Sequence, residues 1–178
     1  GTSVHIQLQL SSMRVLSLLA EGLETDREFC QVARSCSQNI VMKSRERRCG
    51  PDVVKCLTSL VQWSISFDGM CEDVSELLKN KKSPSHCRTA LLELIIGVAS
   101  SNSHKMNGDS LKCCADLAAS AAEDSDPVVR DKALNALSTL LPVCKNRVEK
   151  EKDRVSKEAL QLLMNLEQSN PRVFKRIM

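Results

Sequence analysis

The chain has 178 residues, 42% of them apolar and 26% charged, close to the globular average, which excludes a disordered tail. No uninterrupted apolar run reaches the roughly 18 to 20 residues that a membrane-spanning helix needs. One Trp, three Phe and no Tyr deprive a β-sandwich or a base-stacking sheet of its usual side chains, so the core must be Leu, Val, Ala, Ile and Cys. A formal net charge of +3 and a pI near 8.4 do not imply nucleic acid by themselves, and local clustering becomes the informative quantity.

The periodicity predicts an all-α chain of helix pairs. Leu10, Met13, Leu16 and Leu19 mark a first helix over 5–21. Over 26–65, the stripe Phe29, Val32, Cys36 and Ile40 is followed by Gly50-Pro51 and a second stripe, Val53, Val54, Leu57 and Val61. Over 69–102, Met70, Val74, Leu77 and Leu78 precede Ser83-Pro84, then Cys87, Ala90, Leu91 and Leu94. Over 109–142, Leu111, Cys114, Ala118 and Ala121 precede Asp126-Pro127, then Val129, Ala133, Leu134 and Leu137. Over 151–178, Val155, Ala159, Leu162 and Leu166 precede Asn170-Pro171, then Val173, Phe174 and Ile177. Apolar positions at this spacing form one face of a helix. Gly, Ser, Asp and Asn are good N-caps and proline suits the first helical position, so each X-Pro pair reads as a helix start. Breaker signals place linkers at Gly22 to Asp26, Ser66 to Gly69, Ser100 to Asp109 and Pro142 to Asn146. The four prolines fall 33, 43 and 44 residues apart, in the range of two-helix repeats. The first helix has no partner ahead of it and the chain stops seven residues after Pro171, so the sequence reads as one helical domain excerpted from a longer protein.

Nine cysteines with no C-x-x-C indicate neither a closed disulfide framework nor a zinc ribbon. Cys36, Cys56, Cys87 and Cys114 stand among apolar neighbours and read as core residues. This usage, with no signal-peptide pattern, points to a reducing, cytoplasmic compartment, with cytoskeletal or nuclear placement compatible. Cys30 and Cys36 lie nearly two turns apart in one helix and cannot bridge.

Asp126-Pro127-Val128-Val129-Arg130, followed by Asp131-Lys132-Ala133-Leu134-Asn135-Ala136-Leu137, closely resembles the second helix of a HEAT repeat. Asn170-Pro171-Arg172-Val173-Phe174-Lys175 and Gly50-Pro51-Asp52-Val53-Val54-Lys55 are looser copies, and Ser83 to Arg88 keeps the proline and the base. The resemblance implies an α-solenoid of about four repeats with helices stacked in two layers, and bonds between neighbouring repeats from residues such as Asp126 and Arg130. It says little about function. Val74 to Leu78, then Lys79-Asn80-Lys81-Lys82 and Ala90-Leu91-Leu92-Glu93, are further similar to a middle repeat of a TOG domain, the HEAT array of microtubule polymerases. That resemblance implies that Lys43, Arg45, Lys81, Lys82, Arg130 and Arg172 face acidic tubulin. A complete TOG domain has six repeats and a Trp in its first turn, whereas here four are legible and Trp63 falls inside a helix as a packing residue.

Enzyme signatures are absent: no Gly-rich phosphate loop, no G-x-S-x-G, no H-E-x-x-H. His86 beside Cys87 is the nearest nucleophile and base, but adjacent helical residues point about 100° apart. His104 with Cys113-Cys114 matches no standard metal spacing. No cofactor is expected. The functional signal is basic: Lys43, Arg45, Arg47, Arg48 and Lys55 flank the first proline, Lys79, Lys81, Lys82 and Arg88 the second, Arg130 and Lys132 follow the third, Arg172, Lys175 and Arg176 the fourth. Stacked repeats align equivalent turns, so these bases are expected to form one edge. Glu123, Asp124, Asp126 and Asp131 outnumber the bases of the third turn and are expected to break it. The resulting expectation is a non-catalytic scaffold module that holds another protein, with an acidic surface, by its turn edge or concave face. A TOG-like tubulin-binding domain is the sharper version and a nucleic-acid-associated array the other alternative.

Overall fold

The computed structural model describes residues 2–152, 154–169 and 171, and its regular elements are all helical. Eight α-helices follow in order: α1 (Thr2–Gly22), α2 (Arg27–Met42), α3 (Gly50–Trp63), α4 (Cys71–Lys79), α5 (Ser85–Ser101), α6 (Gly108–Ala121), α7 (Pro127–Glu151) and α8 (Arg154–Ser169). Short 3-10 turns at Lys43–Arg45, Phe67–Met70 and Ser103–Lys105 join some of them. No strand occurs among the described residues, and no described helix is long and apolar enough to cross a membrane.

The odd-numbered helices pack in series, α1 on α3, α3 on α5 and α5 on α7. The even-numbered helices form a second row, α2 on α4, α4 on α6 and α6 on α8, and each even helix also packs on the odd helix that follows it in sequence as far as α7. Position in a row dictates burial. Helix α5 has neighbours on both sides and beneath, and Cys87, Leu91, Leu92, Leu94, Ile95 and Val98 are all fully buried. A helix apolar on most of its circumference is stable only in such a place. Gly97 serves the same contact: a Cβ there would stand 3.3 Å from the Thr58 hydroxyl oxygen of α3. Helix α2, at the margin, buries only Ala33, Ser37, Ile40 and Val41 and starts at the Asp26 side chain, which accepts from the Phe29 N–H at 2.7 Å. Trp63 closes α3, half-buried against the core.

Three sequence expectations are corrected here. The predicted linker from Pro142 to Asn146 is helical, because α7 continues to Glu151. Interior proline costs a helix about 3 kcal/mol, but Pro142 is exposed while Leu140, Leu141 and Cys144 on either side are buried, and Arg147 further on donates to the Ser103 carbonyl at 2.8 Å. Anchors before and after the proline hold the helix together. Second, of the predicted caps among the described residues only Asp126 acts as one, its carboxylate accepting from the Val128 N–H at 2.8 Å. Helix α3 begins at Gly50 with Cys49 in the cap position, and α5 begins after Pro84, which leaves Ser83 buried. The Asn170 cap lies outside the described residues. Third, Cys36 is half-buried, whereas Cys56, Cys87 and Cys114 are buried, together with Cys49 and Cys144. All nine cysteines are free thiols.

Candidate partner-binding edge

Three turns connect the pairs α2–α3, α4–α5 and α6–α7, and side chains tie them to one another. In the first turn, Ser44 is buried and its hydroxyl meets the Cys87 thiol of α5 at 3.1 Å. His86 donates from Nε2 to the Arg45 carbonyl at 2.8 Å. Both bonds join the first turn to the start of α5, and the nearest nucleophile-and-base pair of the sequence thereby has structural partners. The third turn reaches the second through Arg88 and Asp124, a bidentate pair with Nε at 2.9 Å and Nη2 at 3.1 Å from the carboxylate. Arg88 is only 9% exposed and also donates to the Ser83 carbonyl. The turns therefore share one edge of the molecule.

The charges on that edge divide by turn. In the second, the Asn80 side chain accepts from the Lys82 N–H at 2.9 Å and its carbonyl accepts from the Ser83 N–H at 2.8 Å, a tight reversal typical of asparagine. It leaves Lys79, Lys81 and Lys82 exposed. Arg45, Arg47 and Arg48 of the first turn are exposed as well, whereas Lys43 is half-buried against the groove between α1 and α2. In the third turn two of the four acids are engaged in bonds. Asp124 is taken by Arg88, and Asp126 caps α7 and accepts from the Ser85 hydroxyl, so that these bonds hold its carboxyl below its ordinary range. The expected break in the edge is thus smaller than the acid count indicates, with Glu123 and Asp131 left exposed.

Several predicted site residues lie elsewhere or do other work. Arg130 does not bridge repeats: it is half-buried and donates to the carbonyls of its own turn, Asp124 at 2.7 Å and Ser125 at 2.9 Å. The inter-pair bond implied by the HEAT resemblance is made by Arg88 and Asp124 instead. Lys132 sits one turn into α7 and pairs with Glu93 of α5 at 3.0 Å. Lys55 lies one turn into α3, beside Asp52 and Arg14, facing α1 rather than the turns. Arg172 and Lys175 lie outside the described residues. The structure adds Val128, 60% exposed in the first turn of α7. The available signal was its place off the Val129, Ala133, Leu137 stripe.

Among curated proteins, the chain is similar to Protein mini spindles of Drosophila melanogaster, 28% identical over 140 residues. The alignment takes in 77% of this chain and 7% of the fly protein, so the chain spans a small fraction of that relative's length. No protein-family model matches the chain, and no solved structure matches it.

Proposed function

We propose that this chain is a non-catalytic interaction module, a HEAT-type α-solenoid of the TOG kind that docks its turn edge on an acidic protein surface, with tubulin as the partner. One observation carries the reading: three consecutive turns are bonded side by side and expose Arg45, Arg47, Arg48, Lys79, Lys81 and Lys82 along one edge, with Val128 as an apolar contact. The two rows of helices support the solenoid. The likeness to mini spindles favours tubulin over other acidic partners, since that protein's name refers to the spindle, an apparatus built of microtubules. Like the tubulin reading, placement in the cytoplasm at the cytoskeleton is part of this proposal.

The test is binding of αβ-tubulin dimers by the R47E/R48E/K81E/K82E variant, followed by fluorescence anisotropy. Exposed charges contribute within about 0.5 kcal/mol each to folding, so the helical signal and melting temperature should hardly move. Four reversals turn attraction into repulsion, and affinity should fall by about tenfold or more, mostly through slower association at low salt. Unchanged tubulin binding, or unfolding of the variant, overturns the edge. Tight binding to random duplex DNA with a steep salt dependence would favour the nucleic-acid reading instead. Exposed Glu46 and Glu123, in the first and third turns, oppose a phosphate track.

A further inference from the structure

An open cleft of about 420 Å3 separates the second turn from the third, lined by Lys79, Lys81, Arg88, Ser120, Glu123 and Asp124 among others. Arg88 and Asp124 are paired with each other. Lys79 and Lys81 are exposed, and so are Ser120 and Glu123. Ser120 stands in the last turn of α6, which ends at Ala121, and helix ends open more readily than helix interiors.

The residues after Ser120 run Ala121-Ala122-Glu123-Asp124-Ser125-Asp126. Of all the serines and threonines in the chain, Ser120 is the one followed by acids at both the third and the fourth positions. A kinase whose substrate groove is basic selects such a hydroxyl, because the acids downstream meet its lysines and arginines while the hydroxyl enters the active site. Glu123 is available to that groove, whereas Asp124 stays on Arg88.

We propose that Ser120 is a phosphorylation site for an acid-directed serine kinase, and that its phosphate lies against Lys79 and Lys81 and neutralises that part of the basic edge. The Ser120 hydroxyl oxygen attacks the γ-phosphorus of a nucleoside triphosphate. The new O–P bond forms as the bond to the β,γ-bridging oxygen breaks, the nucleoside diphosphate leaves, and the hydroxyl proton passes to the base of the kinase. The phosphate brings a charge of about −1.5 to −2 at neutral pH. Glu123 and the carbonyl end of α6 repel it, so the two lysines decide where it rests. The site and this pairing stand without any partner for the edge; the effect on binding rests on the tubulin reading above.

The experiment incubates the full chain with ATP and an acid-directed serine kinase and maps the product by mass spectrometry. One phosphate is expected on the peptide containing Ser120, absent from S120A, retained in S125A and reduced about tenfold or more in E123Q, with the helical signal of each variant unchanged. Phosphorus NMR then reads the pairing: the second pKa of the phosphoserine should rise by about 0.5 or more in K79Q/K81Q. Phosphate at other residues with none at Ser120 overturns the site, and an unmoved pKa in K79Q/K81Q overturns the placement against the lysines. The phosphorylated chain should bind αβ-tubulin about tenfold more weakly than the unmodified one, and equal binding overturns the effect on the edge. If neither form binds tubulin, the tubulin reading fails while a mapped phosphate at Ser120 and its lysine-dependent pKa uphold the site.

Discussion

The second and third turns occupy equivalent places, each between an even helix and a proline-led odd helix, and use charge in opposite ways. The second exposes Lys79, Lys81 and Lys82, while the third spends Asp124 and Asp126 on Arg88, Ser85 and the N-terminus of α7. Net charge by turn is therefore a poor guide to surface charge. An acid that fastens one pair to the next leaves the edge electrically, whereas a lysine on an Asn80 turn remains available to a partner.

The contrast can be broken most severely at Arg88. Arg88→Ala leaves the Asp124 carboxylate without its charged partner, with the Asp126 N–H still donating to it, and takes the Arg88 donor from the Ser83 carbonyl, where the side chains of the pair are 11% and 15% exposed. Removing one member of such a pair costs about 3–5 kcal/mol, a fall in melting temperature on the order of 10 °C, read by thermal circular dichroism. A near-neutral result would show that the third turn does not depend on the second. Arg130→Ala removes two bonds to carbonyls of one turn and should cost about 1–2 kcal/mol in the same assay, less than Arg88 because nothing outside the turn is disturbed. The charge reversals at Arg47, Arg48, Lys81 and Lys82 come below both in stability, although they dominate binding.

Acid sharpens the contrast more gently. Asp126 has its pKa below the ordinary 3.8 because its carboxylate accepts from the Val128 N–H and the Ser85 hydroxyl. The unfolded chain takes up that proton first as pH falls, so the contribution of Asp126 is complete above about pH 5, declines through 3.8 and is gone below the folded-state value. Asp126→Asn should flatten that limb of the stability curve between pH 5 and 3 and leave the lysine-bearing turn unaffected. An unchanged acid limb would remove Asp126 as its source.

Much of this fold was legible because it is local. Proline after Gly, Ser or Asp marked the start of three odd helices to within two residues, and apolar spacing placed the even ones. The continuation of α7 was hidden, since Pro142 is a stop signal unless Cys144 is buried and Arg147 finds partners in the loop after α5, which no window around the proline contains. The edge divided in the same manner. Exposed Arg47, Arg48, Lys81 and Lys82 follow from their turns alone, but the fate of Asp124 is decided by Arg88, 36 residues away, and that of Lys132 by Glu93. Partners across the rows are set by stacking, and one sequence carries no record of them.

The enclosure of α5 has a consequence for how the molecule opens. Helix α1 leaves Val4, Leu8, Val15 and Leu18 exposed, and these side chains gain little from staying folded. Helix α5 can lose its amide protection only after α3, α4 or α7 has moved. Amide exchange should therefore be graded, faster at α1 and slowest through Leu91 to Val98, and the slowest amides should report the free energy of global unfolding. The turns held to this most protected helix, the first by Ser44 and His86 and the third by Arg88, are then the last parts of the molecule to lose their shape.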